Sequence, residues 1–177
     1  MKKYILGLLC LPGMLFSQIL TVSNGASISI ENTASLNLGG LTLAPSDTYV
    51  ISDANEVSIT DTPVVVEGNT SINRVYDAST ALSGFTGTIT FAYDDDELND
   101  IPEADLVLET LSTEGIWTNH PAIMNDTNNT LSYAFADALE FTRITASSAN
   151  ASLTIVEIVA NDFVKVYPNP TTDKLII

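Results

Sequence analysis

Phe85-Thr-Gly-Thr-Ile-Thr-Phe-Ala-Tyr93 alternates without a break. Phe85, Gly87, Ile89, Phe91 and Tyr93 fall on one side, and Thr86, Thr88, Thr90 and Ala92 on the other. An extended chain points successive side chains to opposite faces, so this period of two marks a strand with one face in a core. The aromatic and β-branched residues that fill it suit a pleated surface. Shorter runs on both sides repeat the signal. Val57 and Ile59 alternate with polar neighbours, Ser71 to Tyr76 is extended, and Leu106 and Leu108 share one side of the run to Leu111. Leu131, Tyr133 and Phe135 alternate behind the turn cluster Asn125-Asp-Thr-Asn-Asn-Thr130. Leu139 to Thr145 and Leu153 to Val159 continue the series.

Pro45-Ser-Asp47, Asp53-Ala-Asn55 and Gly68-Asn69 punctuate the chain as turns. A turn signal about every 8 to 12 residues is the spacing of an all-β sandwich or barrel. Helical periodicity never lasts beyond a turn or two. The sequence therefore predicts an all-β fold, an antiparallel β-sandwich of Ig-like or jelly-roll-like kind over residues 18–160. Within it, 18–70 is a short N-terminal hairpin or solenoid-like part, carried by Ile28, Ile30, Leu36, Leu38, Leu41 and Leu43. Gly25–Ile30 and Ala34–Leu38 are loosely alike, but a stable solenoid needs at least three repeats, so hairpins are the favoured reading.

Of 177 residues, 6 are basic and 22 acidic, a net charge of −16. Between residues 18 and 164 the only cations are Arg74 and Arg143. Phosphate backbones and anionic lipid surfaces are bound by clustered Lys and Arg, so nucleic acid and direct electrostatic membrane binding are excluded. The acidic excess suits solubility outside the cell or attraction of divalent cations.

Residues 1–17 have the form of a secretory signal peptide: Lys2 and Lys3, an apolar run from Tyr4 to Leu11, and a small residue, Ser17, at the cleavage point. The apolar run is too short for a span, which needs about 20 apolar residues, and no other segment predicts a transmembrane helix. A lipoprotein would use Cys10, but Leu8 and Leu9 stand where small residues belong. Cys10 is the only cysteine and leaves with the signal, so the mature chain has no disulfide, thiolate metal site or thiol nucleophile. Its net charge is then 4 − 22 = −18.

Near the C-terminal end, Val166-Tyr167-Pro168-Asn169-Pro170 is followed by Leu175 and Ile177. Each proline fixes its own φ and drives the residue before it into an extended conformation, making a rigid corner between two strands. This run resembles the opening of the C-terminal sorting domain of type IX secretion cargo in the Bacteroidetes, although Asp173 stands where the family often has glycine. The resemblance implies that 163–177 begins a second small β-sandwich, truncated here, and that Val166, Tyr167, Pro168, Asn169, Pro170 and Leu175 form the visible sorting signal. It implies a partner, the type IX secretion machinery, and a destination outside the outer membrane. Residues 84–146 are similar in their order of features to β-sandwich modules of bacterial surface proteins, through Tyr93, Asp95, Glu97, Leu98, Leu106, Leu108 and Trp117.

Chemistry is sparsely signalled. Asp94-Asp-Asp-Glu97, with Asn99, Asp100, Glu103 and Asp105 behind it, is the one candidate site. Calcium takes six to eight oxygen ligands, and Asp94, Asp96 and Asp100 are the first candidates to supply them. The alternative is a solvated acidic loop that discourages edge pairing. A glycosidase needs two converging carboxylates, and among so many acidic residues some pair meets that distance by chance. His120 lacks a Gly-x-Ser-x-Gly partner and precedes Pro121, which places it in a solvated loop. Trp117, the only tryptophan, is expected in the core, with a sugar-stacking platform as the other reading. The expected function is non-enzymatic: a secreted or cell-surface protein, adhesin-like or structural, with surface glycans as one class of partner. The alternative is a carbohydrate-binding or accessory module of a larger secreted hydrolase.

Overall fold

Two long strands organise the fold, and four further strands pair directly with one or the other. The computed structural model describes residues 17–52 and 54–149. The expectations for residues 1–16, for Leu153–Val159 and for the sorting segment 163–177 lie outside these residues. In chain order the strands are β1 (Ser17–Val22), β2 (Ser27–Ile30), β3 (Leu36–Leu38), β4 (Leu41–Pro45), β5 (Tyr49–Ser52) and β6 (Asn55–Thr60). Then come β7 (Val65–Val66), β8 (Asn69–Thr70) and the 18-residue β9 (Val75–Ala92). Two 3-10 turns, Asp95–Glu97 and Glu103–Asp105, lead to β10 (Leu106–Leu111), β11 (Trp117–His120), β12 (Ile123–Asn125) and the 19-residue β13 (Thr130–Ser148).

β9 and β13 pair antiparallel from Tyr76↔Ile144 at one end to Ala92↔Thr130 at the other. Tyr76 and Phe91 are 15 residues apart on one strand, a span of about 50 Å if straight. Their rings nevertheless meet edge to face at 5.6 Å. β9 therefore folds back and contributes to two facing layers. Slips in register mark the corner. Phe135 to Leu139 takes four steps on β13 against two on β9, from Gly87 to Phe85. Phe141 to Arg143 takes two steps against five, from Leu82 to Asp77. Unpaired extra residues bend a strand, and strands that bend this way can pass from one layer to another.

The larger layer runs β1-β6-β9-β13-β10-β11, using residues 75–78 of β9 and 143–148 of β13. The smaller layer runs β3-β4-β9-β13-β12, using residues 87–91 and 130–135. This is the antiparallel all-β sandwich that the alternation predicts, with layers continuous through β9 and β13. Leu41, Leu43, Ile89, Leu108, Leu131 and Ile144 are fully buried in one core. Burying each such side chain stabilises by roughly 1.5–3 kcal/mol. The β2–β5 pair covers the corner, where Tyr49 meets Phe85 edge to face at 5.2 Å.

Gly87 does more than keep the alternation. Its φ is +128°, and a β-carbon there would sit 2.3 Å from the Ala44 carbonyl oxygen. Only glycine lets the end of β4 lie this close to β9. In the N-terminal part β3 and β4 form a local hairpin turned at Gly39-Gly40, while β2 pairs with β5 and β1 with β6. Every pairing there is antiparallel, unlike stacked parallel rungs. Among the described residues, no helix is long and apolar enough to cross a membrane.

Candidate functional site

The acidic segment leaves β9 as the strand ends, and a cation from the strand's other end meets it there. Arg74 Nε donates to Glu97 Oε2 at 2.6 Å, and its Nη2 donates to Asp94 Oδ2 at 2.9 Å. Arg74 Nη1 and the Tyr76 hydroxyl both donate to the Gly39 carbonyl in the β3–β4 turn, at 3.1 and 2.7 Å. One guanidinium thus ties the start of β9, the acidic turn after its end and a hairpin of the smaller layer. Burial opposes its charge, but the contacts with Glu97 and Tyr76 outweigh burial and raise its pKa above the ordinary guanidinium value.

The three expected calcium ligands separate. Asp94 turns to Arg74, while Asp96 and Asp100 line an open depression with Asp95, Asn99 and Pro102. Asp95 accepts from Asn129 Nδ2, and Asn99 donates to the Ser71 carbonyl at 3.0 Å. Among the described residues, no group of three or more His, Cys, Asp or Glu converges to hold a metal ion. Tyr93 is buried beside this segment. Desolvation, with the fields of Glu103, Asp95 and Asp126, pushes its hydroxyl up to about 12.

A second group lies on the outer face of the larger layer. β10 is buried on both sides: Leu106 and Leu108 face the core, while Val107 and Glu109 face away yet stay covered. Glu109 is only 4% exposed. Its Oε1 accepts from Ser147 Oγ at 2.9 Å and, at 3.5 Å, from Asn119 Nδ2. Desolvation is the main reason that Glu109 moves from 4.5 up to about 6, and the field of Glu67 adds to it. Glu67 sits at the exposed tip of the β7–β8 hairpin in a left-handed conformation, φ +46°, followed by Gly68 at +92°. The sequence hides this group. Glu109 lies opposite Leu108 in the alternation and reads as solvent-facing, and nothing local reveals the hairpin near it.

Two expectations need correction. His120 is buried, not solvated: it ends β11, contacts Thr110 Oγ1 through Nε2 at 2.8 Å, and packs against the rings of Tyr133 and Phe135, which also touch each other. Alternation along β11 turns it into the space between the layers, and desolvation there lowers its pKa below 6.5. Trp117 is half-buried rather than in the core. It pairs with Leu111 at the edge of the larger layer, and its strand leaves the same face as Asn119 partly open.

No protein-family model matches the chain, and no curated protein matches it in sequence.

Proposed function

We propose that the chain is a secreted or cell-surface, non-enzymatic protein, adhesin-like or structural, exported by a type IX secretion machinery through a C-terminal sorting domain. One observation carries this reading: Val166-Tyr167-Pro168-Asn169-Pro170 with Leu175, in a chain whose first 17 residues have signal-peptide form. Two prolines flanking one asparagine leave such a segment less conformational freedom to lose when a receptor takes it up. Charge is in keeping with this. From Ser17 to Ala149 there are two cations and, after subtracting Glu157, Asp162 and Asp173 from 22, 19 acidic residues. Such a surface repels anionic lipid and favours a dispersed state outside the cell.

The test is a fluorescent reporter placed between a generic signal peptide and the segment from residue 160 to the end of the coding sequence. It is expressed in a Bacteroidetes host with and without type IX machinery. The reading expects reporter on the surface or in the medium only when the machinery is intact. Retention in the periplasm of both strains overturns it.

A second reading, a carbohydrate-binding or accessory module, draws on Trp117. A half-buried indole on an edge strand leaves part of its surface open to a sugar ring. As the only tryptophan, it reports such contact directly through its emission. A saturable shift with a polysaccharide, lost in Trp117→Ala, would favour this reading.

A further inference from the structure

β11 is the last strand of the larger layer, and among the described residues no strand lies on its outer side. Ser112 N donates to the Ile116 carbonyl at 2.9 Å, in the register that pairs Thr118 with Thr110 and His120 with Leu108. Bonded and non-bonded pairs alternate along an antiparallel ladder. Thr118 and His120 therefore bond β10, while Trp117 and Asn119 turn their N–H and C=O groups away from it. Open edges are commonly blunted by charged side chains. Here Ile116 to Asn125 holds no Asp, Glu, Lys or Arg, in a chain of net charge −16. Ile116, just before β11, is 56% exposed, and Ile123, just after it, is 79% exposed.

The chain leaves the described residues near this edge. Ala149 N donates to the Asp105 carbonyl at 2.8 Å, which continues the β10–β13 ladder by one pair. β11 and β13 both run antiparallel to β10, so a chain turning back after β13 runs antiparallel to β11. From Ala149, a place beyond β11 is three strand spacings across, about 14 Å, and His120 is three residues back, about 10 Å. The path is about 17 Å, which roughly five residue steps cover. A place beyond β1, at the other edge, is about 25 Å away by the same reckoning. Leu153-Thr-Ile-Val-Glu-Ile-Val159, the strand expected from the sequence, comes within reach of β11 at this point. Five of its residues are β-branched, which suits a strand, and only Glu157 is charged.

We propose that the open edge of β11 is the docking site for Leu153–Val159, which pairs antiparallel with it through the N–H and C=O groups of Trp117 and Asn119. The reach places the pairing on Ile155–Val159. An edge occupied in this way needs no charge to keep other chains away. Docking also fixes the point near Ile116 from which residue 160 onward departs. The proposal does not rest on the export reading, whose reporter begins at residue 160.

The test is NMR on the full chain, reading amide exchange at Trp117 and Asn119 and the cross-strand NOEs from both amides. The expected result is exchange slowed by about 100-fold or more relative to unpaired chain, with NOEs to residues within 153–159. Val156→Pro/Glu157→Pro removes an N–H that faces β11 whichever register holds. In that variant the slowing should vanish at Trp117 and Asn119 and persist at Thr118 and His120. Fast exchange at Trp117 and Asn119 in the unaltered chain overturns the proposal. So do NOEs to any other part of the chain, or slowing that grows with protein concentration alongside a dimer in sedimentation, which would make a second copy the occupant. Should the proline variant not fold, the NOEs of the unaltered chain decide.

Discussion

Glu97 and Glu109 are both carboxylates drawn out of water in one β-sandwich, and they are held in opposite ways. Glu97 receives Arg74 Nε at 2.6 Å, and the same guanidinium reaches Asp94 and the Gly39 carbonyl. Glu109 receives a serine hydroxyl and a distant amide, and the field of a second carboxylate, Glu67, acts on it. With two cations among 19 acidic residues from Ser17 to Ala149, positive charge is scarce. Arg74 is placed where the two ends of β9 come together, and Arg143 pairs with Asp77 directly across the ribbon. A buried carboxylate elsewhere is left to a proton. The first arrangement persists across neutral pH, whereas the second is conditional on pH.

The comparison breaks most visibly at Arg74. Arg74→Met keeps the apolar stem but leaves Glu97 and Asp94 facing each other and severs three elements at once. Removing one partner of a buried pair costs about 3–5 kcal/mol, and the solvation of Asp94 trims that here. A loss of about 2–4 kcal/mol in urea unfolding of the full chain at pH 7 is expected. Near-native stability would mean that core packing alone holds the fold of β9.

Glu109→Gln should move stability the other way. Its folded value, about 6, lies above the ordinary 4.5, so the folded chain binds more protons than the unfolded chain between those values. Stability contributed by the protonated carboxyl is present below 4.5, is lost as pH rises through about 6, and stays lost above it. Glutamine removes that limb while keeping the shape. The variant should match the wild type below pH 4.5 and exceed it by about 2 kcal/mol at pH 8, from 1.36 kcal/mol per pH unit. His120, lowered by burial, adds a separate loss as pH falls below 6.5 in both proteins, so it cancels in the difference. The smallest effect belongs to Asp94→Asn. Its side chain is 72% exposed, and an exposed pair contributes at most about 1 kcal/mol. A loss as large as that of Arg74→Met would make Asp94, rather than Glu97, the main partner.

Much of the fold is legible from alternation. Phe85, Ile89, Phe91 and Tyr93 are buried as the period of two demands, and Leu131 and Phe135 answer them on β13. The corner is not legible, because folding back is written in which strands pair, not in either strand alone. Val75 to Leu82 carries Asp77, Ser79 and Thr80 and does not alternate cleanly, so the upstream part of β9 looks like separate short pieces. Trp117 and His120 go astray for a related reason. Whether an edge-strand residue meets the core or solvent depends on how far the facing layer extends. The acidic segment is visible as charge, but Arg74, which takes Asp94 away from the expected calcium set, lies 20 residues upstream. Glu109 has no local signature, since its burial comes from elements distant in sequence.

The contrast between cation-held and proton-held carboxylates rests most directly on the protonation of Glu109. A carbon-13 NMR titration of its side-chain carboxyl in the full chain, assigned by its loss in Glu109→Gln, measures that state. The account predicts a midpoint of about 6. A midpoint at or below the ordinary 4.5 would contradict it, showing Glu109 charged within the fold at every physiological pH.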